Sequence, residues 1–196
     1  MKLDIHKDFV LIEDNVFDKE TIDNLDNWMR MSFHNYHDTY KTIVKDEFPC
    51  YDHVWPMVQN QMYHYCAGRE IDAERVNLCN FQLASLPPYD ESMANENFYE
   101  PHDDIAERYW AVTIVYCTSE YTDDNWVGGE LAIYKNTTYL NYPQNIINIK
   151  PYRNRMVMFP GYYMHRIKPY FGKLPRQSLV YGWEIDDKWK VKPIVV

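Results

Sequence analysis

From Tyr109 onward the chain is a succession of short apolar runs stopped by turn residues, and this pattern constrains its fold more than any other feature. The runs cover 109–117, 130–134, 146–149, 155–159, 164–167 and 177–185, with Gly128-Gly129, Pro160-Gly161 and similar breaks between them. Short strands at close spacing with turn residues between them predict an antiparallel sandwich or jelly roll. Composition agrees. Tyr 18, Trp 6 and Phe 8 against Gly 6 suit packed strands and exclude a linker-rich or disordered chain.

The N-terminal part reads differently. Residues 9–12 form a short strand that ends at Glu13-Asp14-Asn15. A helix follows with Asp18 as N-cap, and Ile22, Leu25, Trp28 and Met29 share its apolar face. A second helix is predicted over 53–66, with Asp52 as cap, Pro56 in its first turn and Gly68 just past its end. Residues 76–84 alternate as a strand, and 85–99 form a long polar loop. The expected architecture is mainly β with N-terminal helices. It is one domain over 1–196, with helical support to about residue 75 and a β core over about 76–190.

A net charge of −9 with no Lys/Arg run argues against nucleic acid as partner. Cys50, Cys66, Cys79 and Cys117 show no paired spacing and read as buried free thiols. Acids interrupt the N-terminal apolar residues, and no run has membrane-spanning length, so a cytoplasmic protein with no membrane partner is expected.

One segment carries chemistry. "EPHDDIAERYW" places His102 and Asp104 two residues apart before an apolar strand. On a strand, residues i and i+2 point the same way, so both side chains can aim at one point. An imidazole and a carboxylate are two of the three ligands of the facial triad that holds non-haem Fe(II). Such a pair arises easily by chance, and His6-Lys7-Asp8 is a second one, at the extreme N-terminus with nothing suggestive downstream. The central pair has a downstream partner in His165, after the strand "RMVMF" and a Pro-Gly turn. Arg176 and Ser178 come eleven and thirteen residues beyond it, again i and i+2. A guanidinium fork beside a hydroxyl suits a carboxylate at a pocket floor. The bland readings are a hydrogen-bonded polar cluster for the triad, a surface cation for Arg176 and a satisfied strand hydroxyl for Ser178. His34, His37 and Asp38 read as a polar helix face or helix end, and Asp123-Asp124 as turn residues.

His102, Asp104, Gly128-Gly129-Glu130-Leu131, His165 and Arg176, in this order, resemble the Fe(II)/2-oxoglutarate-dependent oxygenases, particularly their prolyl-4-hydroxylase-like branch. The opening "FVLIEDNVFDKETIDNL" also resembles the start of that branch. The interval from His165 to Arg176 is slightly longer than in many members, with "FGKLP" as apparent insertion. Collagen-type prolyl hydroxylases use lysine where this chain has Arg176; the alternatives Arg166 and Lys168 lie too near His165 to reach the far end of a five-carbon cosubstrate.

The resemblance implies a double-stranded β-helix (jelly-roll, cupin-like) core. It implies Fe(II) held by His102, Asp104 and His165, with 2-oxoglutarate and O2 as cosubstrates and ascorbate a candidate reductant. Arg176, Tyr116 and Ser178 would grip the distal carboxylate of 2-oxoglutarate. Tyr116 is otherwise one of many core tyrosines, and Leu131 and Ile133 are core residues that also line the pocket. The reaction implied is hydroxylation of an unactivated C–H, first of all on a prolyl residue of a peptide or protein. A free amino acid or other small molecule is the second choice. A jelly roll that binds metal and ligand without oxidising anything is the reading from another class. The loop 85–99 lies where a lid would act.

Overall fold

The computed structural model describes residues 10–32, 40–42, 48, 51–91, 99–104, 109–134 and 146–185. Strand β1 (Leu11–Asp14) leads into helix α1 (Lys19–Ser32), then β2 (Tyr40–Thr42) and helix α2 (Tyr51–Gly68). A single 3-10 turn precedes β3 (Val76–Leu86). The β half follows as β4 (Ala111–Thr118), β5 (Leu131–Tyr134), β6 (Ile146–Ile149), β7 (Arg155–Pro160), β8 (Met164–Ile167) and β9 (Arg176–Ile185). These strands form a six-stranded antiparallel sheet in the order β1-β7-β4-β9-β3-β2 and a three-stranded sheet in the order β6-β5-β8. The two sheets face each other as a double-stranded β-helix.

Strand alternation gives the large sheet two unlike faces. One carries Val115, Met156, Met158, Leu179, Tyr181 and Trp183 and packs under both helices. The other carries Val112, Ile114, Tyr116, Val157 and Phe159 and meets Leu131, Ile133 and Ile149 of the small sheet. Strand β4 lies between these layers and is buried along its whole length, so its sequence "AVTIVYCT" is nearly continuous apolar residues.

Helix α1 starts as expected. The Asp18 carboxylate accepts the Thr21 N–H at 2.8 Å, and that bond holds its pKa below the usual value. Ile22, Leu25 and Met29 are buried, and Trp28 rests against the same core.

Helix α2 departs from expectation at both ends. It begins at Tyr51, whose N–H bonds the Phe48 carbonyl and whose ring stacks on Trp55 at 5.8 Å, so Asp52 lies inside the helix and Pro56 deeper than its first turn. Gly68 is the last helical residue. The stop is a Schellman motif formed by Glu70 at φ 57, with Ile71 N–H to Cys66 O at 3.0 Å and Glu70 N–H to Ala67 O at 3.2 Å. Cys66 and Cys117 are buried free thiols, whereas Cys79 is exposed at a register shift between Leu78 and Asn80. Cys50, Phe9, the His6-Lys7-Asp8 pair, His34, His37 and Asp38 lie outside the described residues. No helix among the described residues is long and apolar enough to cross a membrane.

Candidate metal centre and cosubstrate pocket

His102 and His165 meet through a two-residue antiparallel bridge. The His102 N–H donates to His165 O at 2.9 Å, and the His165 N–H to His102 O at 2.7 Å. This sets the two rings side by side, with centroids 4.4 Å apart. Asp104 arrives from a bend, not from a strand, which corrects the expected geometry: only His102 is in a bridge, and alternation along a strand does not aim the pair. Main-chain contacts aim Asp104 instead. Its N–H donates to Gly161 O at 2.9 Å, and its carbonyl accepts the Tyr109 N–H at 3.2 Å.

The three side chains converge. Donor atoms of His102, Asp104 and His165 all lie within 4.8 Å of one another, with His165 Nε2 at 3.6 Å from Asp104 Oδ2. Each imidazole has its Nδ1 against a main-chain carbonyl, His102 on Glu100 O at 2.9 Å and His165 on Tyr163 O at 3.0 Å. A carbonyl can only accept, so Nδ1 carries a hydrogen in both rings, and the neutral tautomer this favours has its lone pair on Nε2. Burial, reinforced by the neighbouring His102, pushes the pKa of His165 down to about 3, so this imidazole stays neutral at physiological pH. Two imidazoles and a carboxylate whose ligating atoms lie within 4.8 Å of one another fit a divalent iron.

Arg176 and Tyr116 occupy the same space between the sheets. Arg176 opens β9 at 3% exposure, and its guanidinium carbon lies 5.1 Å from the centre of the Tyr116 ring. Ser178 is buried too and stands directly across from Tyr116 in the β4–β9 register. The Tyr116 hydroxyl and Arg176 Nε are both buried donors without a hydrogen-bond partner. Burial raises the Tyr116 pKa, with the nearby Arg176 opposing, so the phenol keeps its proton. Two orphaned donors with a buried positive charge are what a carboxylate would satisfy. Leu131 and Ile133 are fully buried in the same layer, and Ile133 pairs directly with His165. Arg166 pairs with Ala132 and therefore points away from the face that His165 uses.

The extra residues before Arg176 are looped out. Tyr170 bridges Gly128, Phe171 N–H bonds Val127 O, and the Glu120 carboxylate accepts the Leu174 N–H at 2.7 Å. Phe171 and Leu174 are left exposed, and β9 begins in register at Arg176. Gly128 and Gly129, at φ 73 and 77, adopt a conformation that favours glycine, and a Cβ on Gly129 would touch the Arg176 stem at 3.4 Å. Asp123 and Asp124 form the turn between Thr122 and Asn125, as expected. Of the loop 85–99, Ser85 and Leu86 belong to β3, Tyr99 is buried, and residues 92–98 lie outside the described residues. Sequence reasoning overlooked Tyr109, Gly161 and Glu120. A Pro-Gly turn before the distal histidine is a visible signal for Gly161, but no local pattern marks the other two.

Residues 89–183 match the family described as the 2OG-Fe(II) oxygenase superfamily, a span that holds the triad, Tyr116, Arg176 and Ser178. No curated protein sequence matches the chain. Among solved structures it is similar to a Pseudomonas putida prolyl-4-hydroxylase, at TM-score 0.67 and 15% identity, covering 93% of this chain and 90% of that one. It is also similar to a Trichoplax adhaerens prolyl hydroxylase in complex with a hypoxia inducible factor oxygen degradation domain peptide fragment. There the TM-score is 0.68 and the identity 16%, with 94% and 86% covered. HygX from Streptomyces hygroscopicus, with nickel and 2-oxoglutarate bound, gives a TM-score of 0.61 at 8% identity, with 93% and 85% covered. Residues 89–183, which hold the whole candidate site, thus match the 2-oxoglutarate/Fe(II) oxygenase superfamily and support a 2-oxoglutarate-dependent dioxygenase, and the chain as a whole shares the fold of the solved prolyl hydroxylases.

Proposed function

We propose that the protein hydroxylates a prolyl residue in a peptide or protein. In this reading His102, Asp104 and His165 hold Fe(II), and Arg176, Tyr116 and Ser178 receive the distal carboxylate of 2-oxoglutarate. The observation that carries the site assignment is the buried pair of orphaned donors, Tyr116 Oη and Arg176 Nε, behind a convergent His-Asp-His cluster. When bound, Fe(II) with O2 supplies the oxidising chemistry: 2-oxoglutarate is converted to succinate and CO2 while one oxygen atom enters a substrate C–H. Everything else falls to residues of this chain. Glu100 O and Tyr163 O fix the two imidazoles in the tautomer that leaves Nε2 free. The apolar layer of Phe159, Ile133 and Leu131 excludes water from the pocket. Arg176 supplies a fixed positive charge whose partner must be an anion of matching length.

The substrate class rests on fold likeness to prolyl hydroxylases and on an aromatic surface. Tyr89, Phe171 and Trp126 form a row with ring centroids about 6 Å apart, 6.0 Å and 6.1 Å, and Phe171 and Trp126 are exposed. Aromatic faces suit the stiff, extended backbone of proline-rich segments. The test is incubation with a panel of proline-containing peptides, Fe(II) and 2-oxoglutarate. Succinate and peptide mass are followed together. A peptide that gains one oxygen on proline in step with succinate supports the reading. Succinate formation stimulated by free amino acids but by no peptide overturns the prolyl assignment. Absence of both 2-oxoglutarate binding and succinate overturns the site assignment.

A further inference from the structure

We infer that Tyr109 is a positioning residue of the metal centre: it is wedged between Gly161 and Gly182 and fixes the main chain of Asp104. The inference rests on the iron reading of the His102-Asp104-His165 cluster.

The main chain around Asp104 is held by a relay of backbone hydrogen bonds. Asp104 N–H donates to Gly161 O at 2.9 Å, and Tyr109 N–H donates to Asp104 O at 3.2 Å. Gly161 N–H donates to Trp110 O at 3.0 Å, and Trp110 N–H to Trp183 O on β9 at 2.6 Å. The bend that carries the carboxylate is thus tied at both its N–H and its C=O, and both ties lead to the 109–110 segment.

Tyr109 leaves no slack in that arrangement. A Cβ on Gly161 would lie 2.1 Å from the Tyr109 carbonyl oxygen, and a Cβ on Gly182 would lie 2.5 Å from the Tyr109 ring. Neither glycine has a positive φ, so what demands glycine at both positions is close approach, not backbone conformation. The Tyr109 hydroxyl is hydrogen-bonded to Asn80 Nδ2 on β3, so the ring is located from both sides. Gly161 also begins the turn that carries Tyr163, whose carbonyl orients His165. Displacing Tyr109 therefore disturbs Asp104 directly and His165 through the same turn. Side chains that orient metal ligands in this indirect way are typically worth about 10- to 100-fold in metal affinity.

The test is titration of the metal-free protein with Co(II), read by calorimetry and by the Co(II) visible spectrum, with melting temperature of the metal-free protein recorded alongside. Gly182→Ala and Tyr109→Ala should each weaken Co(II) binding by about 10- to 100-fold and alter its spectrum, while Tyr109→Phe, which keeps the ring, should change affinity less. The double variant Gly182→Ala/Tyr109→Ala should bind Co(II) no more weakly than Tyr109→Ala, because the alanine then has no ring to displace. Because Tyr109→Ala removes bulk instead of adding it, this arm decides the matter if Gly182→Ala does not fold. Two results overturn the inference alone: single variants that lose melting temperature but bind Co(II) as wild type does, or a double variant whose losses simply add. Wild-type protein that takes up no Co(II), matching His102→Ala, overturns the iron reading and this inference with it.

Discussion

The two faces of the six-stranded sheet are built from the same strands, yet they are chemically unlike. On the helix-covered face β9 contributes Leu179, Tyr181 and Trp183; Trp183 Nε1 donates to Thr113 Oγ1 at 2.9 Å, while the Tyr181 hydroxyl is buried without a hydrogen-bond partner. On the inner face the same strand contributes Arg176 and Ser178, beside Tyr116 and opposite His165 and Ile133. The buried carboxylate, guanidinium and imidazole side chains among the described residues, Glu130, Arg176 and His165, all lie outside the helix-side core. A buried charge without a partner costs several kcal/mol, so a chain keeps one only where something else compensates. The helix face holds the sheet together, and the inner face is left free to carry groups that destabilise it. Because the division follows strand alternation, the consequence of a substitution on β9 should depend on whether its position is odd or even.

The largest effect is expected at the triad. His102→Ala, Asp104→Ala or His165→Ala should abolish Fe(II)-dependent succinate formation and Co(II) uptake, with little loss of melting temperature in the metal-free protein. His6→Ala and Asp8→Ala should leave both intact; metal content that depends on the N-terminal pair would contradict the choice of His102 and Asp104.

Next comes the even series. Arg176→Ala should raise the apparent KM for 2-oxoglutarate by about 150- to 5,000-fold, since removing one partner of a buried charge pair costs about 3–5 kcal/mol. Co(II) affinity should stay near wild type. Arg176→Lys should fall between, keeping the charge without the planar fork. Arg166→Ala, on the opposite face of β8, should change KM little. If Arg166→Ala gave the large effect and Arg176→Ala none, the anchor assignment would fail.

The odd series should behave in the opposite way. Leu179→Ala, fully buried under the helices, should cost about 2–5 kcal/mol of stability. Its KM for 2-oxoglutarate, measured per folded molecule, should not move. A Leu179→Ala enzyme that is stable but impaired in cosubstrate binding would break the division of labour between the faces.

Most of the β half was legible because its signals are local. Runs such as "RMVMF" before Pro-Gly or "ELAIY" after Gly-Gly carry both the strand and its end, and the structure has strands at those places. The His-x-Asp, distal His and Arg order was legible as spacing; the structure gathers the three metal-type side chains and, separately, buries Arg176 against the Tyr116 ring. What escaped depends on contacts distant in sequence. The end of α2 was assigned to Gly68, yet a glutamate takes the left-handed position, held by the Cys66 and Ala67 carbonyls. His102 and Asp104 were expected on a strand, but Asp104 owes its direction to Gly161 and Tyr109, which no periodicity near residue 102 could reveal. The sheet order and the exposure of Cys79 at a register shift are likewise set by pairing with β9, not by the residues themselves.

The smallest effect should come from a contact that serves neither face. Asp14 at the end of the edge strand β1 pairs in register with Arg155 of β7, and its carboxylate accepts both Nε at 2.5 Å and a terminal nitrogen at 2.7 Å. That bidentate bond to Arg155 holds the Asp14 pKa below its ordinary 3.8. Its sign follows from linkage: on acidification the unfolded chain takes up the proton before the folded one does. The contribution is therefore complete above the ordinary carboxylate range, and is lost as pH falls from about 3.8 through the lower folded value. The Asp14 side chain is 40% exposed, so solvent screening limits the pair to under about 1 kcal/mol. Asp14→Asn should lower the melting temperature slightly at neutral pH, and the difference from wild type should shrink towards zero in acid. Co(II) and 2-oxoglutarate affinities should be untouched. A melting difference that persisted undiminished below the folded pKa of Asp14 would mean that the carboxylate is not what ties β1 to the sheet, and that packing of Leu11 in the helix-side core holds the edge strand by itself.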